Sequence, residues 1–209
     1  MVENYAAVLY LFSCMEKGVL LVFQKNESLG NVKTRLAVKV GDAKALQIYR
    51  QLVRTTYSSL VGLTFPIWVF FSDFIPQHPD YSPTKSFLQR GEDLGVQMKN
   101  AFSDAFDLGV EKVILIGTDC PYLDFTRIHD AFACLDNADL VLGPAEDGGY
   151  YLIGLKKNAD FLFEGLTWST SLVLAQTLAK AENQGMIVKQ LPVLGDIDTL
   201  EDWLTYSQG

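Results

Sequence analysis

Residues 112–121, KVILIGTDCP, contain the pattern that predicts the fold of this chain. The apolar run at 113–116 suits a strand that is buried on both faces, and it is too short for a helix. The run leads into Asp119, and Pro121 stops further strand pairing. A carboxylate at the end of a buried strand lies at the carboxyl edge of a sheet, where open α/β folds bind their ligands. Taken alone, Asp119 suits capping of a turn or helix as well as it suits binding of a ligand.

Five further apolar runs have the length of strands, and they lie at residues 19–23, 66–71, 139–143, 150–155 and 186–191. Helical spacing of apolar residues is found at 43–59, 91–106, 125–135 and 170–181, the last with Ser169 or Thr170 as its N-cap. A surface loop is predicted at 75–83, which contains three prolines. Strands that alternate with helices predict βαβ units and a mainly parallel sheet.

The chain is expected to form one domain over residues 16–209, because no stretch is rich enough in proline, glycine or serine to act as a linker. Residues 1–15 are interpreted as an N-terminal extension or an extra helix. The apolar segment at 5–15 is too short to span a bilayer, and Glu3 stands where a secretory signal would carry positive charge. No membrane association is therefore expected.

The composition argues against several classes of function. With 17 Lys and Arg against 25 Asp and Glu, the net charge is −8, so the surface repels nucleic-acid polymers. The three cysteines, Cys14, Cys120 and Cys134, have no CxxC spacing, which argues against a disulfide framework and a structural zinc site. This cysteine usage suits a reducing, cytoplasmic compartment.

The first polar cluster follows the predicted strand at 19–23. A loop with Gly30 leads into a helix start that carries Lys33 and Arg35, and backbone N–H groups with such cations can hold a phosphate. The pattern is neither GxGxxG nor a Walker loop, and a basic, solvated helix start is the simpler interpretation of these residues alone. Cations oppose the helix dipole at an N-terminus, however, which indicates an anion nearby.

The second cluster, PAEDGGY at 144–150, follows another predicted strand. Gly148 and Gly149 allow positive φ and a close approach of the backbone to a ligand, and Glu146 and Asp147 precede them. A tight turn into a hairpin explains the same residues. One turn can serve both purposes by presenting Asp147 to a ligand.

The third cluster is DIDT at 196–199. We expect only one of its two carboxylates, Asp196 or Asp198, to face a given site. A last short helix is predicted after this segment. The alternative is that Asp198 or Thr199 caps that helix and holds no ligand.

Together the clusters favour a metal-bound nucleotide as the ligand. Asp119, Asp147 and Asp198 offer the oxygen ligands that Mg²⁺ or Mn²⁺ takes alongside substrate phosphates. No histidine lies near them in the sequence, which disfavours zinc. With Lys33 and Arg35 available for the phosphates, the predicted ligand is a nucleoside di- or triphosphate.

Several motifs also resemble, in the same order, a bacterial family of glycosyltransferase-A-like proteins that includes nucleotide-diphospho-sugar transferases and arsenosugar-biosynthesis glycosyltransferases. They are GNVKTRL at 30–36, DLG at 93–95 with Met98, IGTDCP at 116–121, GPAEDGGYYLIGL at 143–155, WST at 168–170 and DIDTLEDW at 196–203. The resemblance covers roughly residues 16–204. It implies an α/β fold, a Rossmann-like three-layer sandwich with a mostly parallel mixed sheet, that holds a nucleotide and a divalent metal.

The resemblance further implies roles for individual residues. Asp119 and Asp198 would hold Mg²⁺ or Mn²⁺, and Asp147, or in second place Glu146, would be the general base. The nucleotide and the rest of the substrate would be contacted by Gly30, Lys33, Arg35, Thr118, Gly148, Gly149 and Trp168.

The leading hypothesis is metal-dependent transfer of a glycosyl group from a nucleotide-diphospho-sugar to a small-molecule acceptor. Two departures from the family bear on it: residues 25–29 replace a proline-rich loop, and Asp119 lacks the second aspartate of the Asp-x-Asp pair that many such glycosyltransferases use. A single aspartate paired with a late one such as Asp198 is similar to nucleotidyltransferases of guanylyl or cytidylyl type. These use a nucleoside triphosphate to activate a small phosphorylated acceptor and release pyrophosphate. A nucleotide-binding module without catalysis is the third alternative.

Overall fold

The centre of the protein is a mixed β-sheet, seen in a computed structural model that describes residues 18–77 and 81–208. The interpretation of residues 1–15 as an extension therefore lies outside the described residues. The strands are β1 (Gly18–Gln24), β2 (Ile67–Phe71), β3 (Lys85–Leu88), β4 (Lys112–Ile116), β5 (Leu140–Pro144), β6 (Tyr150–Leu155) and β7 (Val188–Gln190). The helices are α1 (Thr34–Val40), α2 (Asp42–Ser59), α3 (Leu94–Asp107), α4 (Phe125–Cys134), α5 (Val173–Asn183) and α6 (Leu200–Gln208).

The strand order is β3-β2-β1-β4-β6-β5-β7. Neighbouring strands run parallel, except that β6 is antiparallel to both β4 and β5. The expectation of a mostly parallel mixed sheet is thus confirmed. The carboxyl ends of β1, β2 and β4 meet at one edge of the sheet, because these three strands are parallel neighbours.

Helices cover both faces of the sheet, so the predicted three-layer α/β sandwich is confirmed. Successive residues of a strand point to opposite faces: Leu21 of β1 packs in one core with Phe102 of α3, and Leu20 packs in another with Phe132 of α4. The five inner strands, β1, β2, β4, β5 and β6, are continuous apolar runs because both of their faces are buried.

Strand β3 was not predicted from the sequence. It lies at the edge of the sheet, and its residues Lys85–Leu88 are exposed or only half-buried. Phe87 packs partly against the core, and a short edge strand of this kind does not need an apolar run, so the pattern that identified β4 does not occur there.

Helix α5 begins later than predicted, and the expectation that Ser169 or Thr170 caps it was wrong. The helix starts at Val173, and its N-cap residue is Leu172, whose side chain makes no capping hydrogen bond. Ser169 adopts a left-handed conformation (φ 61°), and the Thr170 hydroxyl donates to the Thr167 carbonyl at 2.7 Å instead. Among the described residues, no helix combines the length and the apolarity needed to cross a bilayer.

Candidate active site

Lys33 is the centre of a charged cluster at the carboxyl edge of the sheet. Its Nζ lies 2.8 Å from Asp119 Oδ1 and 3.0 Å from Asp198 Oδ1. The cluster therefore joins the loop after β1, the end of β4 and the segment before α6. It brings together three residues that the sequence placed in separate motifs.

Two contacts hold the late segment beside the end of β4. The backbone N–H of Ile197 donates to the carbonyl of Asp119 at 3.0 Å. The Ile197 side chain is buried in a small core with Leu36 of α1 and Ile48 and Leu52 of α2. Asp198 reaches Lys33 because the adjacent residue, Ile197, is held by both its backbone and its side chain.

The backbone of Lys33 is in the left-handed region, with φ 48° and ψ 47°, immediately before α1. Residues other than glycine adopt this region rarely, and such conformations are frequent at functional sites. Burial, with 4% of the side chain exposed, would lower the pKa of Lys33, but the attraction of Asp119 and Asp198 outweighs it and raises that pKa above its ordinary value. Lys33 is therefore a buried cation that two carboxylates stabilise.

The remaining residues of the first cluster lie at the surface. Gly30 adopts positive φ (80°) in an exposed turn. The side chain of Arg35 is 68% exposed, and its Nη1 lies 3.6 Å from Asp198 Oδ2. Arg35 and Gly30 are thus accessible to an anion approaching the same edge of the sheet.

Thr118 has a structural contact that the sequence did not indicate. Its hydroxyl lies 3.2 Å from that of Tyr49, which donates in turn to the carbonyl of Lys25 at 3.0 Å. Only 3% of Thr118 is exposed. The side chain braces the loop after β1, and a role for Thr118 in contacting substrate stays a prediction.

Residues 145–149 form the tight turn that was one of the two interpretations of the second cluster. Ala145 N–H donates to the Gly149 carbonyl at 3.0 Å, and Asp147 Oδ1 accepts from the Gly149 N–H at 2.8 Å. The side chains of Asp147 and Glu146 are exposed. Both carboxylates are accessible, and their role as general base stays a prediction.

The glycine turn also contacts the start of α5. Gly148 has φ 87°, and its carbonyl accepts from the N–H of Leu174 at 3.0 Å. A Cβ at Gly148 would overlap the carbonyl oxygen of Ser171. The absence of a side chain therefore permits the turn and the segment before α5 to touch.

Trp168 packs on the start of α3. A Cβ at Gly95 would overlap the indole ring. The DLG motif at 93–95 and the WST motif at 168–170 are therefore in contact in the folded protein. Trp168 is half-buried, and its predicted contact with substrate is not tested by this packing.

Asp196 is a member of the site that sequence reasoning missed, and the expectation that only one of Asp196 and Asp198 faces it was wrong. Burial, together with the charges of Asp198 and Asp147, raises the pKa of Asp196 to about 6. Residues two apart on an extended segment share a side, and Ile197 between them points into the core. That alternation, correctly applied, is the signal that identifies Asp196.

The last helix has a cap that leaves Asp198 available. Thr199 Oγ1 accepts from the N–H of Asp202 at 3.2 Å, and Asp202 Oδ2 accepts from the N–H of Thr199 at 2.7 Å. This reciprocal arrangement is a capping box. Because Thr199 performs the capping, the carboxylate of Asp198 is free to contact Lys33.

The residues present fit a divalent cation that is bound together with a nucleotide. Asp119 and Asp198 converge on one point, and both are partly exposed. Within residues 18–77 and 81–208 no group of three or more His, Cys, Asp or Glu side chains could hold a metal ion. Two carboxylates are nevertheless what Mg²⁺ commonly takes when substrate phosphates and water complete its six ligands.

An open cleft of about 370 Å³ lies along the segment before α6, and Lys33, Asp119 and Asp198 are not among its lining residues. It is lined in part by Tyr122, Glu146, Asp196 and Thr205. Its volume is within the usual range for small-molecule sites, roughly 300–1,000 Å³.

Comparisons with known proteins agree with this architecture. The family model "Uncharacterized protein conserved in bacteria (DUF2064)" matches residues 76–170. A solved structure of a candidate nucleotide-diphospho-sugar transferase from Desulfovibrio desulfuricans G20 is 33% identical in sequence, with a TM-score of 0.85. The match covers 92% of this chain and 87% of that protein.

More distant matches extend the comparison. A 2-phospho-L-lactate guanylyltransferase from Methanocaldococcus vulcanius is 24% identical over 179 residues, which are 83% of this chain and 78% of that protein. A 4-diphosphocytidyl-2C-methyl-D-erythritol synthase from Anaerococcus prevotii has a TM-score of 0.60 at 10% identity, with 92% of this chain and all of that chain covered. At that identity the structural match shows the fold alone.

Proposed function

The chain belongs to the same family as the candidate nucleotide-diphospho-sugar transferase from Desulfovibrio desulfuricans G20, and on this premise we propose that it transfers a nucleotidyl group from a nucleoside triphosphate to a small phosphorylated acceptor. In this reaction an oxygen of the acceptor phosphate attacks the α-phosphorus. The bond from the α-phosphorus to the oxygen that bridges to the β-phosphate breaks, and pyrophosphate leaves. The attack brings the negative charge of the acceptor phosphate to the triphosphate, and the departure builds negative charge on the leaving pyrophosphate, so positive charge is needed at both places.

One observation carries this proposal: the two carboxylates that converge on Lys33 come from distant elements, Asp119 after β4 and Asp198 before α6. Glycosyltransferases with an Asp-x-Asp pair take both aspartates from one strand end, whereas here Pro121 occupies the second position. The curated relative from Methanocaldococcus vulcanius, a guanylyltransferase that matches most of this chain, supports the same choice.

In this proposal the basic residues contact the phosphates and the acidic residues hold the metal ion. Lys33 and Arg35 offset the charge of the triphosphate, and the loop around Gly30 lets backbone N–H groups approach it. Asp119 and Asp198 would hold Mg²⁺ or Mn²⁺, which neutralises developing charge on the phosphates when bound. The acceptor phosphate is already an anion, so its attack requires no general base.

Glycosyl transfer is the second candidate function. The Desulfovibrio desulfuricans structure, described as a candidate nucleotide-diphospho-sugar transferase, favours it. So does the exposed position of Asp147 on the glycine turn, because an acceptor hydroxyl needs a base to remove its proton.

A substitution of Asp147 distinguishes the two functions. Asp147→Asn retains the side-chain oxygen that accepts from the Gly149 N–H at 2.8 Å, so the turn is expected to keep its shape. Under nucleotidyl transfer we expect kcat/KM to stay within about threefold of wild type, whereas loss of a general base would cost roughly 10²–10⁴-fold. Steady-state kinetics measures the difference, with Asp136→Asn as the control, because that carboxylate pairs with Lys112 at the other end of β4.

The proposal itself is tested with a ligand panel. Thermal unfolding is followed with GTP, CTP, ATP, UTP and their nucleotide sugars, each with and without Mn²⁺, and pyrophosphate release is measured with phosphorylated acceptors. We expect one triphosphate with Mn²⁺ to stabilise the protein most, by about 2.7 kcal/mol at a hundred times its Kd, and to release pyrophosphate. Stabilisation by a nucleotide sugar without pyrophosphate release would favour glycosyl transfer, and binding without any turnover would indicate a non-catalytic module.

A further inference from the structure

The ammonium of Lys33 occupies the point at which a cation would meet both carboxylates of the site. Its Nζ is within 3.0 Å of Asp119 Oδ1 and of Asp198 Oδ1, and both contacts are ion pairs. The lysine side chain is nearly inaccessible at 4% exposed, whereas those of Asp119 and Asp198 are 49% and 37% exposed. The carboxylates thus face solvent on one side and the lysine on the other.

We propose that Lys33 substitutes for the divalent cation in the nucleotide-free protein, so that the metal ion and the triphosphate can bind tightly only together. This inference rests on the proposed function insofar as it assigns the metal to Asp119 and Asp198. It goes further by stating what occupies the carboxylates before substrate arrives and how the two ligands depend on each other.

The first step of the inference is competition for the carboxylates. A magnesium ion binds oxygen at about 2.0–2.1 Å, which places it on the carboxylates that Lys33 now contacts. An ammonium and a divalent cation sharing these oxygens repel each other, and the repulsion is strong because Lys33 is shielded from water. A free metal ion must therefore displace Lys33 or bind weakly.

The second step of the inference concerns the Lys33 ammonium, which needs new partners once it leaves the carboxylates. A buried ammonium without a partner is strongly destabilising, so Lys33 does not readily give up Asp119 and Asp198 to a metal ion alone. A triphosphate supplies new anionic oxygens for the same ammonium. Binding of the phosphates thus releases the carboxylates to the metal.

Arg35 is a natural comparison for Lys33. Its Nη1 lies 3.6 Å from Asp198 Oδ2, and its side chain is 68% exposed, so water screens its charge. Loss of Arg35 removes one positive charge from the same edge of the sheet without vacating the point between the two carboxylates.

The test is a Mn²⁺ titration of the nucleotide-free protein by calorimetry, in wild type, Lys33→Gln and Arg35→Gln. We expect Lys33→Gln to bind free Mn²⁺ at least about tenfold more tightly than wild type and Arg35→Gln to change that affinity by less than about threefold. The same Lys33→Gln variant is expected to bind Mn²⁺–GTP more weakly than wild type. A lysine that only contacts phosphate would leave the affinity for free Mn²⁺ unchanged.

Equal or weaker binding of free Mn²⁺ by Lys33→Gln would overturn the inference. The titration involves no turnover, so its outcome is separate from that of the pyrophosphate assay: the protein can release pyrophosphate while Lys33 fails to compete with the metal. The two proposals therefore fail independently.

A second measurement on the wild-type protein covers the case in which Lys33→Gln does not fold. Lysines are labelled with acetic anhydride and quantified by mass spectrometry. We expect labelling of Lys33 to stay low with Mn²⁺ alone at the concentration that saturates binding of Mn²⁺–GTP, and to rise at least about threefold only at Mn²⁺ concentrations high enough to displace the lysine, because displacement exposes the amine. Lys112, at the opposite end of β4, is the internal control. A rise of the Lys33 signal already at the lower Mn²⁺ concentration, or no rise at the higher one, contradicts the inference.

Discussion

Replacement of Asp119 by asparagine is expected to abolish Mn²⁺-dependent nucleotide binding and to lower kcat/KM by about 10³-fold. The variant keeps the shape of the side chain but removes the charge that would hold the cation on the phosphates, and charge stabilisation of several kcal/mol corresponds to a rate effect of this order. The Lys33 ammonium, 2.8 Å away, also loses one of its two partners. Nucleotide titration with and without Mn²⁺, followed by initial-rate measurements, checks both effects.

Asp136→Asn is the matched control for this substitution. It removes a carboxylate at the other end of β4, where Asp136 Oδ1 lies 2.6 Å from Lys112 Nζ in an exposed ion pair. Such pairs contribute about 0–1 kcal/mol to stability, so nucleotide binding should be unaffected. If Asp119→Asn retains wild-type affinity in the Mn²⁺ titration, the assignment of the metal to Asp119 is incorrect.

Gly148→Ala is expected to lower the free energy of unfolding by roughly 2–5 kcal/mol. The left-handed backbone (φ 87°) costs a non-glycine residue about 1–2 kcal/mol. A new Cβ would also overlap the carbonyl of Ser171, and overpacking of this kind costs about 1–3 kcal/mol. Urea unfolding of the variant and of wild type measures the change.

Gly109→Ala separates the cost of the left-handed backbone from the cost of the overlap with Ser171. Gly109 has nearly the same φ, 82°, but a Cβ there would meet nothing within 4 Å. Its substitution should show only the conformational cost, about 1–2 kcal/mol. Equal losses in the two variants would mean that the contact between the glycine turn and the segment before α5 is not tight, contrary to the geometry described above.

Local sequence patterns were sufficient for most strands and for the position of the polar clusters. Continuous apolar runs identified β1, β2, β4, β5 and β6 because both faces of these strands are buried. Thr199 was one of the two residues predicted to cap α6, because a cap depends on donors and acceptors that are only three residues apart. The start of α5 was misplaced because the left-handed backbone of Ser169 has no signal in the residue types.

The sequence by itself determined that carboxylates and cations lie where buried strands end, since that depends only on the length of each apolar run and the residues after it. Tertiary structure alone decided which of them meet. Lys33 contacts Asp198 across 165 residues of chain, because β1 and β4 are neighbours in the sheet and Ile197 is buried against α1 and α2. Strand order and core packing are set by contacts between distant segments, and these also turned Thr118 inward to Tyr49.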